Sequence, residues 1–189
     1  MRMLSESDLV AWRAIPTAVL SDERQHHGVL SGLRLLFPDR SFAAQALTIE
    51  VQNTDNGAPR AALAQAWRGA CIAIDARTRP DGAVWGGNLI ALARARGVAA
   101  IVVDGNVRDM VDLRKSGLAV CSRGVTPRGP VWGGRIGGPI QCGGISIHTG
   151  DLIVGDEDGV VAVPLEAVNE ELLDRCRARL ADDSGGNAG

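Results

Sequence analysis

An arginine followed at once by an aspartate, Arg108-Asp109, is the pair in this chain best suited to handling a small anion. The guanidinium of Arg108 is a planar fork of donors that matches a carboxylate or an enolate, which a lysine ammonium would recognise less specifically. Upstream stands Gly86-Gly87-Asn88-Leu89, where two glycines allow a tight bend with bare backbone N–H groups. Beyond the bend, Leu89, Ile90, Leu92 and Ala93 follow a helical stripe up to Gly97, a C-capping residue, so the bend opens a helix. The run Ala99 to Val103 predicts a buried strand, and Asp104-Gly105-Asn106 predicts a turn that delivers Arg108-Asp109. A helix N-terminus and the C-terminal end of the next strand then lie side by side, where open α/β layers place anionic ligands. Taken alone, Arg108-Asp109 also reads as a surface pair in which Asp109 caps a helix, and Gly86-Gly87 as a plain turn.

The elements that must position these residues follow from pattern and punctuation. Ser5-Glu6-Ser7-Asp8 predicts a capped helix to about Arg13, and Pro16 a second short helix from Thr17 to about Gln25. Strands are expected at Leu33–Phe37 and Phe42–Val51, then a polar turn over 52–57 and a helix from Ala58 to Trp67. Cys71–Ile74 reads as a strand ending at Asp75, and Ala76–Val84 as a loop around Pro80-Asp81-Gly82. A short helix at Met110–Lys115 and a strand at Ala119–Cys121 come next. From Gly124 to Gly144 there are eight glycines and three prolines, read as a glycine-rich crossing or packing loop. Three short strands (Ile145–Ile147, Leu152–Val154, Val160–Val163) precede a helix from Pro164 to about Leu180. The reading is one domain over residues 1–181 and a disordered tail over 182–189.

Composition narrows the class. Hydrophobic content of 46% with 22% charged residues is that of a soluble globular protein. Aromatic residues are only 3%, so Ala, Val, Leu and Ile must build the core. A formal net charge of −2 gives no field to recruit nucleic acid or an anionic membrane, and neither is expected as a partner. No apolar run has the length of a transmembrane helix or the form of a signal peptide, so a cytoplasmic address is expected. Cys71, Cys121, Cys142 and Cys176 are scattered without a CxxC pair and are expected to be free, buried thiols.

Together with Gly150–Pro164 (GDLIVGDEDGVVAVP), the segment from Gly86 to Asp109 resembles the RraA-like family, which holds regulators of ribonuclease activity and 4-hydroxy-4-methyl-2-oxoglutarate aldolases. The matching motifs are GxxL at Gly86–Leu89, DGxxRD at Asp104–Asp109 and the GD…DxDGVVxVP block. Thr17 and Asp22 fit an early Thr…Asp pattern, and the order and spacing of the set carry the resemblance. It implies a single layered α/β domain with a β-sandwich-like core of the swivelling β/β/α type, assembled as homotrimers or as hexamers made of two trimers. It also implies that Gly86, Gly87, Asn88 and Leu89 supply a carboxylate-binding turn, Arg108 a substrate contact and Asp109 the ligand of a divalent cation. That cation would be Mg²⁺, Mn²⁺ or another of the class. Asn88 stands where many aldolase members have Glu, and the short tail has no clear match to the acidic residue that a neighbour's extension donates in some aldolases.

The implied chemistry is a metal-dependent carbon–carbon lyase that cleaves a small 2-oxo acid, by retro-aldol reaction or decarboxylation, and releases pyruvate through an enolate. Stabilising that enolate is the main demand. Mg²⁺ keeps most of its waters, so one carboxylate at Asp109 can suffice, with Asp104 or a neighbouring subunit in support. Lys115, the one lysine, shows no sign of burial and is disfavoured as a Schiff base. Arg77 and Arg79 form either a solvated loop or a reader of a second substrate carboxylate, and Trp85 and Trp132 either pack or wall a pocket. The competing reading is a non-enzymatic, protein-binding regulator; a methyltransferase is disfavoured, since no strand–GxGxxG–helix fingerprint is present.

Overall fold

In a computed structural model, residues 1–52, 57–78, 80–129 and 133–186 are described, with side chains through 183. The apolar runs build the centre of the sheet. β1 (Arg34–Leu35), β2 (Phe42–Gln52), β3 (Cys71–Asp75), β4 (Ala83–Trp85), β5 (Ala100–Val107) and β6 (Ala119–Val125) are linked by helices α3 (Ala58–Gln65), α4 (Gly87–Ala95) and α5 (Met110–Ser116). β2, β3, β5 and β6 pair in parallel in that order, as strands joined by helical crossovers do. β7 (Gly133–Ile136), β10 (Leu152–Gly155) and β11 (Val160–Val163) extend the sheet, while β8 (Ile140–Cys142) and β9 (Ile145–Ile147) make a separate hairpin. The sheet order is β1-β6-β5-β3-β2-β10-β11, with β4 on β5 and β7 on β2.

The long strand β2 changes partners along its length. Phe42–Gln45 pair with β10, Ala46–Glu50 with β3, and Ile49–Gln52 with β7 on the opposite side. This exchange curls the sheet towards closure, and the interior splits into three apolar clusters. Ile72, Ile74, Ile101 and Val103 face α3, α4 and α5, whereas Cys71, Ala73, Ala100 and Val102 face the β8–β9 hairpin. Such alternation is the period of two expected of strands covered on both sides. The third cluster packs α1 (Glu6–Arg13), α2 (Thr17–Glu23) and α6 (Glu170–Gly186) on β10 and β11. The result is the mixed α/β domain that the sequence predicts.

Local rules place the ends of these helices. Ser5 and Asp8 form the expected capping box on α1, with Ser5 Oγ accepting from the Asp8 N–H at 3.1 Å. α2 has Pro16 at its N-cap and no cap of its own. Asp156, from the turn between β10 and β11, caps it instead, accepting the Thr17 N–H at 2.7 Å and the Thr17 hydroxyl at 2.6 Å.

Several expectations are corrected. Asp104-Gly105-Asn106 is not a turn; β5 runs through it to Val107, with a register shift against β6 between Val103 and Asn106. β4 on one side and β6 on the other pair this stretch and hold it extended. Gly105 is needed there because a Cβ would lie 2.8 Å from the Ala76 Cβ. The loop expected over Ala76–Val84 ends in β4, and the glycine-rich segment contains β7 and β8. Pro164 opens a 3₁₀ turn at Leu165–Ala167, and α6 continues to Gly186, so residues 182–186 are helical where disorder was expected to begin, while 187–189 lie outside the described residues. Of the expected polar turn after β2, residues 53–56 lie outside the described residues, as do Arg79 and Trp132.

Candidate active site

Gly86 is the N-cap of α4 and Asp109 the N-cap of α5, and the two helix starts adjoin at the C-terminal ends of β4 and β5. The Gly87 N–H donates to Asp109 Oδ2 at 2.8 Å, and Arg108 Nε lies 3.5 Å from the same oxygen. The Arg108 N–H donates to the Trp85 carbonyl at 2.9 Å, which ties the RD pair to the strand that delivers the glycine turn. Asp109 sits at φ 60°, ψ 47°, in the left-handed region that costs an L-residue roughly 1–2 kcal/mol. Among described non-glycine residues, only Gln25, His26 and Asp109 have positive φ. A strained, half-exposed carboxylate held by tertiary contacts is the kind of backbone outlier that gathers at working sites.

The turn divides its duties. Leu89 is buried in the core beneath α4, and its N–H donates to Gly86 O at 3.1 Å, so it anchors the turn and offers no amide to a ligand. The Gly87 amide is committed to Asp109. Gly86 and Asn88 keep N–H groups with no acceptor among the described residues, at the positive end of the helix dipole. Gly86 is irreplaceable for packing rather than for backbone conformation, since its φ of −164° is ordinary extended chain. A Cβ there would stand 2.6 Å from Asp109 Oδ2 and 3.0 Å from Arg108 Cγ.

Other candidates lie elsewhere. Asp104 is fully buried and spends its oxygens on Arg123 Nε and the Gly143 N–H, the latter at 2.7 Å, so it does not support Asp109. Asp75, its neighbour across the β3–β5 ladder, takes a fork from Arg77 at 3.0 and 2.9 Å. Those hydrogen bonds push the Arg77 guanidinium further up, and Arg77 is spoken for rather than free to read a substrate. Trp85 is a core residue whose indole N–H finds no partner among the described residues. Lys115 is exposed. Burial pushes the thiol of Cys121 up to about 12 and drives those of Cys71 and Cys142 upward, which makes them inert core residues.

Sequence reasoning missed two side chains next to the turn. Asp112, three residues past Asp109 on the same face of α5, places Oδ2 2.6 Å from where a Gly87 Cβ would stand. Arg94, two turns along α4, lines a groove that starts at Gly87. Helical spacing from Asp109 and Gly87 was the signal available for both.

The donor set suits a hard, largely hydrated cation. Asp109 gives one oxygen to Gly87 and Arg108 and has a second with no hydrogen bond among the described residues. No cluster of three or more His, Cys, Asp or Glu side chains is present among the described residues, as would be needed for a dehydrated ion. No helix there is long and apolar enough to cross a membrane.

Comparison with known proteins bears on the chain as a whole. The family model described as RraA-like, Aldolase/RraA, matches residues 17–162. A protein of Halalkalibacterium halodurans provisionally named 4-hydroxy-4-methyl-2-oxoglutarate aldolase is 33% identical over 183 residues, covering 95% of this chain and 87% of the relative. An uncharacterized protein from Pseudomonas syringae pv. tomato superposes with a TM-score of 0.87 at 28% identity, over 97% of this chain and 87% of that one. Streptomyces coelicolor RraAS2, described as an unusual member of the RNase ES inhibitor RraA family, gives a TM-score of 0.88 over 98% of both chains. At 23% identity, that match speaks for the fold alone. With a matched segment that spans most of the domain and contains both the glycine turn and the RD pair, the chain belongs to the RraA-like family.

Proposed function

We propose that the protein is a divalent-cation-dependent lyase that cleaves a 2-oxo acid and releases pyruvate, by retro-aldol reaction or by decarboxylation of a β-keto acid. The observation that carries this reading is the Asp109 carboxylate, held in a left-handed conformation by the Gly87 N–H at 2.8 Å beside Arg108. A cation held by Asp109 would supply Lewis-acid polarisation of the substrate's carboxylate and keto oxygens. Asp112, whose carboxylate also packs against the turn at Gly87, would add a second negative charge near that cation.

The chain's own groups do the rest. Arg108, with its side chain 31% exposed, faces the pyruvyl carboxylate and the charge that develops on the keto oxygen. The Gly86 and Asn88 amides point fixed dipoles at the same anion from the start of α4. As the C3–C4 bond breaks, C4 leaves as a carbonyl once its hydroxyl has given up a proton, or as CO2 in the decarboxylation; the bond's electron pair moves into the C2–C3 enolate, and a proton delivered to C3 completes pyruvate. Because these donors are positioned before reaction, little reorganisation opposes the charge shift. Assembly as a trimer or a pair of trimers belongs to the proposal, as a neighbour then stands ready to complete the mouth of the site.

The test is pyruvate release, followed by coupled reduction with lactate dehydrogenase, from oxaloacetate and from 4-hydroxy-2-oxo diacids. Turnover is expected with Mg²⁺ or Mn²⁺ and not with EDTA. No release from any member of the panel with either metal would overturn the lyase reading in favour of a binding-only regulator.

A further inference from the structure

We propose that Gly129 is a positioning residue: the strap from Thr126 to Gly129 closes one side of a slot that aims the Arg108 guanidinium at the substrate's carboxylate. This deepens the 2-oxo acid reading of the Arg108-Asp109 site and rests on it.

Arg108 needs such a device. Its long side chain rotates freely in solvent, and a fork of donors recognises a carboxylate only when its direction is set. Among the described residues the guanidinium has one polar contact, Nε at 3.5 Å from Asp109 Oδ2, a distance at which a hydrogen bond holds it weakly. Shape holds it instead. A Cβ on Gly86 would stand 3.0 Å from Arg108 Cγ and 3.3 Å from Nε, and one on Gly129 would stand 3.1 Å from Nη1. The arginine therefore lies between two residues without side chains, one against its stem and one against its tip. Neither brings a side-chain acceptor, so the slot orients the fork and leaves its Nη donors for a ligand. Glycine is not at 129 for the sake of its backbone. Its φ is outside the left-handed region, unlike those of Gly117 and Gly134, and the residue is exposed. Room for Nη1 is what the position supplies.

The strap is fastened to the strands that deliver the site. The Thr126 N–H donates to the Val107 carbonyl at 3.0 Å, and the Arg128 carbonyl accepts from the Ala83 N–H at 3.2 Å. Arg128 also pairs with Asp81 at 3.7 Å, but both side chains are exposed and the backbone bonds carry the attachment. Ala83 opens β4, which leads into the Gly86 turn, and Val107 directly precedes Arg108. The wall at Nη1 is thus fixed to both elements that grip the other end of the arginine. An alanine at 129 has to move either the strap, which those bonds resist, or the guanidinium tip.

The probe is oxalate, whose coplanar oxygens imitate the pyruvate enolate. Its dissociation constant with Mg²⁺ is measured by calorimetry on the wild type, Gly129→Ala, Arg108→Ala and Arg108→Ala/Gly129→Ala, with Gly82→Ala as control. A Cβ on Gly82 meets the Gly129 carbonyl at an ordinary 3.6 Å. Gly129→Ala is expected to weaken oxalate about tenfold, with the unfolding midpoint and the Mn²⁺ affinity without oxalate unchanged. Gly82→Ala is expected to stay within about twofold, and Gly129→Ala to cost less than about twofold once Arg108 is gone, since nothing is left to position. Wild-type oxalate affinity in Gly129→Ala, an equal loss in Gly82→Ala, a loss of Mn²⁺ binding in Gly129→Ala, or a tenfold loss that persists without Arg108 overturns the positioning role and leaves the 2-oxo acid site intact. No oxalate binding by the wild type, or undiminished binding by Arg108→Ala, overturns that site and the positioning role with it.

Discussion

Asp109 does two jobs that oppose each other. Its left-handed backbone is costly for a residue with a Cβ, while its carboxylate holds the start of α4 through Gly87. Replacing it with Gly relieves the first and loses the second, so folding stability is expected to change by no more than about 1 kcal/mol. Activity is expected to fall on the order of 100-fold or more, because the carboxylate proposed to hold the cation is gone. Chemical denaturation and the pyruvate assay on the same preparation separate the two effects. The two glycines give a sharper contrast. Gly86→Ala pushes into Asp109 and Arg108, which pack against one another, and is expected to abolish turnover while the fold persists. Gly87→Ala meets the exposed Asp112 side chain, which can swing aside, and is expected to cost at most about tenfold. Equal damage from both would show that the site tolerates no change at the turn and that Asp109 is not the particular casualty.

At the scale of elements, the extension of β5 past Val103 depends on what neutralises Asp104. The carboxylate is wholly buried, and Arg123 and the Gly143 N–H hold β6 and the β8–β9 hairpin against it. Asp104→Ala is expected to destabilise the protein by about 2–3 kcal/mol in urea unfolding, with the Gly143 amide and Arg123 left without their acceptor. A loss below about 0.5 kcal/mol would mean the pair contributes no net stability. The same segment shows where reading the sequence reaches its limit. Asp-Gly-Asn has turn chemistry, and only pairing by β4 and β6, elements distant in sequence, overrides it. β4 has three residues, too few for any period to register, and it follows a strong Pro-Asp-Gly turn signal. β7 hides in glycines because its backbone passes so close to β2 that a Cβ on Gly134 would strike the Glu50 carbonyl. By contrast, α1, α4 and the strands β2, β3, β10 and β11 carry their periodicity and caps openly. That Gly86 and Asp109 would stand side by side at two helix starts was legible from helix-start chemistry, although β5 and not the expected turn delivers Arg108-Asp109. The approach of Asp112 to Gly87 was not legible, because helical spacing puts Asp112 on the face of Asp109 but only the packing of α4 on α5 brings it to the turn; the fork from Arg77 to Asp75, two residues apart, depends on the turn that follows β3.

Across the whole molecule, the sheet keeps three of the four thiols protonated in one cluster, Cys71, Cys121 and Cys142. Burial raises the folded-state value of Cys121 from 9.0 to about 12. The folded state then holds a proton that the unfolded chain releases, so the stabilisation is complete below about pH 9 and is lost as pH rises toward 12. Within that window stability is expected to decline by about 1.4 kcal/mol per pH unit for each such thiol. Urea unfolding between pH 8 and about pH 10.5 measures the decline. Cys121→Ala should make it shallower by about one thiol's share; an identical slope in the variant would assign the alkaline loss to other groups. The three-core architecture keeps this buried chemistry away from the α4–α5 side, where the Gly86 turn and Asp109 meet.

The most direct measurement is Mn²⁺ binding followed by electron paramagnetic resonance, with and without oxalate as a stand-in for the pyruvate enolate. The wild-type protein is expected to bind one ion per chain, more tightly when oxalate is present, and Asp109→Asn to lose that binding while keeping its fold. An Asp109→Asn protein that bound Mn²⁺ and oxalate as the wild type does would contradict the assignment of the site.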